Sequence, residues 1–224
     1  MDSIQILNFD KKNKVEKRVV SMFPNIMRAG ILGPSGCGKT NVLMTILLHK
    51  KPLRDIYLCS KSINQDKYQI LHNLIKKYNK SHSERIGFYE ILDLEKLPPP
   101  EKVPENSLII FDDILTEQQD KIATYFMRGR HRKLTCFYLA QSYTKIPKKS
   151  GIRENFNFLI LFKQDTVNLR QIFNEYGGGD YDFKKFKLIC KKCWEEPFSF
   201  LTIDMEGGQY MFRKKFEATP LNLN

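Results

Sequence analysis

The sequence predicts an α/β fold, a mainly parallel central sheet between helical layers, organised on one phosphate-binding loop. Two observations carry that reading. The stretch Gly33-Pro34-Ser35-Gly36-Cys37-Gly38-Lys39-Thr40 fits the pattern G-x-x-x-x-G-K-S/T. Along the chain, short apolar runs alternate with segments of helical periodicity, as strand–helix–strand units do.

In such a loop the backbone N–H groups turn inward at a phosphate chain. Gly33, Gly36 and Gly38 permit the backbone angles and the close approach that side chains would block. Lys39 is suited to the β- and γ-phosphates, and the Thr40 hydroxyl to a Mg²⁺ ion. Ile26 to Leu32 reads as a buried strand ahead of the loop, and Asn41 to Leu48 as a helix behind it. The positive end of that helix faces the same anion. The nucleotide-binding set is therefore Gly33, Pro34, Ser35, Gly36, Cys37, Gly38, Lys39 and Thr40, with Asn41 following.

At 224 residues the chain reads as a single domain. A β-rich extension covers 1–25, the nucleotide-binding core 26–163, and C-terminal helices with a hairpin 164–224. A hydrophobic share of 42% suits a soluble globular protein. No apolar run reaches the roughly 18–20 residues of a membrane span, and no signal peptide is visible at Met1 to Gln5. Five cysteines, an odd number, argue for reduced thiols inside a cell. Lys and Arg total 37 against 25 Asp and Glu, a net charge of +12 that favours a polyanionic partner. A lysine-rich solvated surface gives the same number, and composition alone leaves the two readings level.

Taken in order, Ile4 to Phe9 and Val15 to Met22 predict a hairpin around Asp10 to Lys14. Lys51-Pro52 stops the first helix, and Asp55 to Cys59 reads as a second core strand. Ile70, Leu71, Leu74, Ile75 and Tyr78 fall at helical spacing. Ile86 to Tyr89 is a third apolar run, and Leu97 to Pro104 an extended surface connector. Ser107 to Asp113 then gives four apolar residues ending in two carboxylates, a strand that delivers acid to a metal. Asp112 would hold Mg²⁺ through water, and Asp113 would polarise the attacking water. Thr116-Glu117-Gln118-Gln119 matches a capping box. The helix it opens places Ile122, Tyr125, Phe126 and Met127 in the core. Arg128-Gly129-Arg130-His131-Arg132-Lys133 ends it with more positive charge than a helix dipole needs, so a phosphate contact fits there.

Leu134 to Ala140 is another buried strand, with Gln141 at its carboxyl end, where open α/β sheets bind ligands. Gln141 can bond the γ-phosphate or orient a water. The following loop, with Lys145, Lys148 and Lys149, and a later helix with Lys184, Lys185 and Lys187 are alternative basic surfaces for a polyanion such as DNA. Phe158 to Phe162 is the last clear core strand. Asp165 or Thr166 caps a helix to Tyr176, ended by Gly177-Gly178-Gly179. A lysine-rich helix runs from about Asp182 to Cys193, and Phe198 to Asp204 with Gln209 to Phe212 predict a terminal hairpin. Cys190 and Cys193 supply two of the four ligands that a structural zinc site needs, so they read as packing residues.

With these motifs in this order, the chain resembles a FtsK–HerA superfamily ATPase. It is more closely similar to the small genome-packaging ATPases of poxviruses, other large DNA viruses, virophages and Polinton-type elements. The residues that carry the resemblance are Gly33 to Thr40, Leu108 to Asp113, Gly129-Arg130-His131, Leu139 to Tyr143, Ile146-Pro147 and Arg153-Glu154-Asn155. The resemblance implies an ASCE/RecA-like P-loop NTPase sandwich with ATP and Mg²⁺ as cofactors. It also implies a pentameric or hexameric ring that pumps double-stranded DNA into a preformed capsid, with a capsid or portal-vertex protein as partner. The implied location is the virus assembly site inside the infected host, or the virion.

The resemblance assigns Lys39, Asp112, Asp113 and Gln141 to the hydrolytic centre. It further implies an arginine acting on the neighbouring subunit's nucleotide: Arg153 by position, with Arg130 and Arg132 in reserve. Asp113 stands where wider FtsK–HerA members often carry Glu, though an Asp pair is usual in the viral packaging group. The glycine loop also resembles that of guanylate kinase, but a kinase has no need of the Asp112-Asp113 strand followed by the Gln141 strand. A GTPase would carry N-K-x-D, which the sequence lacks. The non-enzymatic alternative is a DNA-binding protein with a regulatory nucleotide site.

Overall fold

Eight strands form one sheet in the order β3-β2-β4-β5-β1-β6-β7-β8. They are β1 (Arg28–Leu32), β2 (Asp55–Ser60), β3 (Gly87–Ile91), β4 (Leu108–Asp112), β5 (Thr135–Ala140), β6 (Phe158–Leu161), β7 (Leu201–Asp204) and β8 (Phe212–Lys214). Strands β1 to β6 pair in parallel, and β7 and β8 continue the sheet antiparallel. The computed structural model describes residues 18, 22–49, 54–177, 182–208, 211–217 and 221. Most of the predicted N-terminal hairpin, Lys51-Pro52, Gly178, Gly179 and Gln209 lie outside the described residues.

The central strands are near-continuous apolar runs because both of their faces are covered, the usual condition of a parallel sheet. Every residue of β4 and of β5 is buried. Alternate side chains divide into two cores. Ile31, Ile56, Ile110 and Phe137 pack with α1 (Lys39–His49) and α2 (Asp66–Ser81) on one face. Leu32, Cys59, Phe111 and Tyr138 pack with α3 (Gln119–Arg128), α4 (Thr166–Tyr176) and α5 (Phe183–Cys193) on the other. The result is the expected three-layer sandwich.

Register positions the site. Leu32 lies beside Ala140 and Leu161, and Asp112 beside Leu139, so the segments that follow β1, β4, β5 and β6 emerge along one edge. The Gln141 strand β5 sits between the loop strand β1 and the Asp112 strand β4.

Several local expectations change. In α2, Ile70 and Leu74 are exposed and Tyr68, Leu71 and Ile75 are buried. The buried stripe begins at Tyr68, which an aliphatic reading of the helix passes over. The capping box does not form: Gln118 holds the N-cap position of α3 without a side-chain bond. The Gln119 amide instead donates to Ile114 O at 2.8 Å and Glu117 O at 3.1 Å, and its carbonyl accepts from the Tyr138 hydroxyl at 2.9 Å. Met127, expected in the core, is exposed near the end of α3. The connector 97–104 is fastened rather than free, because Leu97, Pro100 and Val103 are buried and Pro100–Lys102 forms a 3-10 turn. Strand β7 starts at Leu201, and Phe198 lies in the turn ahead of it.

Beyond β6, the fully buried Asp204 carboxylate accepts from Arg213 at 3.0 Å and from both terminal nitrogens of Arg18, at 2.6 and 2.9 Å. This ion cluster ties residue 18 to the antiparallel end of the sheet.

Candidate active site

The loop follows β1 directly. A Cβ on Gly33 would stand 2.6 Å from the Cβ of Phe162 and 2.7 Å from the Cys37 sulfur, so only glycine fits. Gly36 and Gly38 adopt φ of 75° and 110°, where side chains are strained. Lys39 opens α1, and its amine donates to the loop's own carbonyls, Gly33 O at 2.7 Å and Pro34 O at 3.0 Å. The amine is thereby held over the phosphate cradle.

Asp112 ends β4 and is buried, with its Oδ2 accepting from the Tyr68 hydroxyl at 2.6 Å. Burial pushes the Asp112 carboxyl above its ordinary range. The Tyr68 bond and the Lys39 charge oppose that rise, and neighbouring Asp113 adds to it. Burial also drives the Tyr68 hydroxyl far upward, helped by the Asp112 charge, and Thr40 works slightly against that rise. Tyr68 thus gives its single proton to the strand carboxylate. Asp113 is exposed and has φ of 55°, a left-handed conformation unusual outside glycine, in keeping with strain stored at functional positions.

Gln141 is exposed at the end of β5. The segment after it is clamped by buried Asn168 of α4, whose Oδ1 accepts from Ser142 Oγ at 2.9 Å and from Thr144 N at 2.8 Å. Asp165, the N-cap of α4, accepts from Asn168 N at 2.8 Å and from its Nδ2 at 2.7 Å. Ser35, Lys39, Thr40, Asp112, Asp113 and Gln141 line one cavity of about 190 Å³, joined by Gln65 and Lys67 from the start of α2. Tyr68, Asn168, Gln65 and Lys67 are absent from the sequence reading. The polar stretch Gln65 to Lys67 follows the carboxyl end of β2, a placement that marks ligand sites in α/β sheets.

The proposed arginine does not belong to this edge. Arg153 is buried at 4% exposure, donates to Thr144 O at 2.7 Å, lies over the Tyr143 ring at 4.6 Å and faces Glu175 at 3.6 Å. Its partners Glu175 and Tyr176 stand at the far end of α4 from the cap Asp165. The residue that the resemblance implies for a neighbouring subunit's nucleotide is therefore held in the interior of this chain. Arg130 and Arg132 precede β5 and therefore lie at the opposite sheet edge from Gln141. Arg132 pairs with Glu105 at 3.7 Å, whereas exposed Arg130 makes no ion pair among the described residues. Lys145, Lys148 and Lys149 are exposed on a loop anchored by buried Tyr143 and Ile146. Cys190 and Cys193 are buried, and desolvation raises both thiols, Cys193 to about 12. Among the described residues no three His, Cys, Asp or Glu side chains converge as a metal cluster.

The phosphate loop, the paired carboxylates and the glutamine strand between them define a P-loop ATPase. The family is narrower. A family model described as Poxvirus A32 protein matches residues 14–176, and the chain belongs to that family. Among curated proteins nothing matches.

Solved structures share the fold. The genome packaging NTPase B204 from Sulfolobus turreted icosahedral virus 2, in complex with AMP, superposes with a TM-score of 0.55 at 12% identity. That match covers 86% of this chain and 98% of that one. The same protein with ATP-gammaS gives 0.52 at 14% identity over 82% and 94% of the two chains. VirB4 of Thermoanaerobacter pseudethanolicus gives 0.52 at 10% identity over 86% and 89%.

Proposed function

We propose that this ATPase is the motor that drives double-stranded DNA into a preformed viral capsid, working as a ring of five or six copies. The observation that carries the proposal is the convergence of Lys39, Thr40, Asp112, Asp113 and Gln141 on one cavity in a chain of net charge +12. Membership in the A32 family and the likeness of fold to a genome packaging NTPase support it. A kinase reading leaves Gln141 and the strand that carries it without a task.

In this reading Lys39 binds the β- and γ-phosphates, Asp113 aligns the attacking water, and Gln141 senses the γ-phosphate. The donor set fits Mg²⁺, which takes hard oxygen ligands: the Thr40 hydroxyl and an Asp112 carboxylate whose second oxygen is engaged by Tyr68. When bound, the ion neutralises charge on the phosphates. Arg130, exposed and without an ion pair among the described residues, is the better candidate for the neighbouring subunit's transition state, with Arg132 behind it. Lys145, Lys148 and Lys149 contact the DNA backbone. The protein acts at the virus assembly site in the infected host and docks on a capsid or portal-vertex protein.

ATP turnover measured with and without long double-stranded DNA tests the proposal. Stimulation that weakens with salt is expected; a rate indifferent to DNA at every salt concentration contradicts it.

A further inference from the structure

Phe198 stands beside the phosphate loop with its ring in solvent. It is 70% exposed, yet its Cδ1 lies 3.8 Å from the position a Cβ would take on Gly38. It belongs to neither hydrophobic core. The turn that carries it, closed by Ser199 N donating to Glu196 O at 3.2 Å, has Pro197 in its second position and Phe198 in its third. Phe198 has φ of 59°, in a position where a turn of this kind favours glycine. The chain thus places a large aromatic where both backbone and solvation oppose it.

The turn is also tied to its neighbours. Glu196 pairs with Lys214 at 2.8 Å and Lys215 at 2.9 Å, and the Trp194 indole donates to Leu161 O at 2.8 Å. Beneath it Phe162 and Phe200 pack against each other at 5.3 Å. Strain held by several fixed contacts is characteristic of ligand sites.

The direction of a bound nucleotide follows from the strand order. Lys39, Asp112, Asp113 and Gln141 fix its γ-phosphate end on the β4–β5 side of β1. The nucleoside end leaves the loop on the other side, toward β6 and β7, and the Phe198 turn leads into β7. We propose that Phe198 is the stacking platform for the base of the bound nucleoside triphosphate. The inference rests on the ATP-binding reading above. Stacking uses the π-face common to all bases, so the contact supplies affinity without choosing among them.

The test is calorimetric binding of AMPPCP and of inorganic tripolyphosphate, both with Mg²⁺, to wild type, Phe198→Gly and Phe198→Trp. Phe198→Gly is expected to weaken AMPPCP binding by about ten- to a hundredfold. Its tripolyphosphate affinity stays at the wild-type value, and its unfolding temperature is equal or higher. Phe198→Trp retains AMPPCP affinity. Unchanged AMPPCP affinity in Phe198→Gly, or an equal loss for tripolyphosphate, overturns the inference and leaves the phosphate site standing. Wild-type protein that binds neither compound overturns the ATP-binding reading and the inference with it.

Discussion

The Tyr68 hydroxyl donates to Asp112 Oδ2 at 2.6 Å, across a separation of 44 residues in sequence. That bond ties the face of α2 to the metal-side carboxylate, and it works against the burial that raises the Asp112 carboxyl. In Tyr68→Phe the carboxyl titrates at still higher pH. Because the ionised form is the one that binds a cation, the acid limb of ATPase activity moves upward in pH. The Mg²⁺ concentration for half-maximal turnover rises by about tenfold, as when outer-shell partners are removed. ATPase rate measured against Mg²⁺ at several pH values checks both shifts.

The same burial makes Asp112 costly to stability. Its folded pKa lies above the unfolded value, so the protein is most stable with respect to this group at low pH. Stability is lost as pH rises from the unfolded pKa through the folded one. Asp112→Asn removes that loss while keeping an acceptor for Tyr68. It should abolish turnover and raise the unfolding temperature at neutral pH, with the gain disappearing in acid. Thermal denaturation across the pH range checks the sign.

Asp113 carries backbone strain at φ of 55°. Asp113→Gly should relieve about 1 kcal/mol of it. Asn also tolerates this conformation, so Asp113→Asn should stay near wild-type stability. Neither variant turns ATP over. Urea denaturation read beside ATPase rate separates the structural effect from the chemical one.

Asn168 makes no expected contact with nucleotide, yet it holds Ser142 and Thr144 behind Gln141. Asn168→Ala removes these bonds from partly buried and exposed partners and costs about 0.5–1.5 kcal/mol of stability for each. With Gln141 no longer fixed, kcat should fall about tenfold at little cost in ATP affinity. Single-turnover kinetics with separately measured binding distinguishes the two.

Asp204 joins Arg18 and Arg213 in a buried ion cluster. Asp204→Ala strands Arg213, which is 3% exposed, and should destabilise the protein by about 3–5 kcal/mol. Equilibrium unfolding in urea measures it.

The loop residues 33–40, the Asp112-Asp113 strand and the Gln141 strand were legible in sequence because each is a local pattern with its chemistry written beside it. The partners that tune them were not. Tyr68 reaches Asp112 only after β2, α2 and β4 are assembled. Arg153 stood out by its position after the Gln141 strand, and its burial depends on Glu175 and Tyr143 folding over it. The capping box failed for a similar reason: Tyr138 on β5 and the carbonyls of Ile114 and Glu117 hold the Gln119 side chain.

The central claim is that hydrolysis at this site moves the protein along duplex DNA. The direct measurement is ATP-dependent displacement of a third strand from a DNA triplex by the assembled protein. The account predicts displacement that requires ATP and is lost in Lys39→Ala. ATP hydrolysis on bound duplex without displacement of the third strand would contradict it.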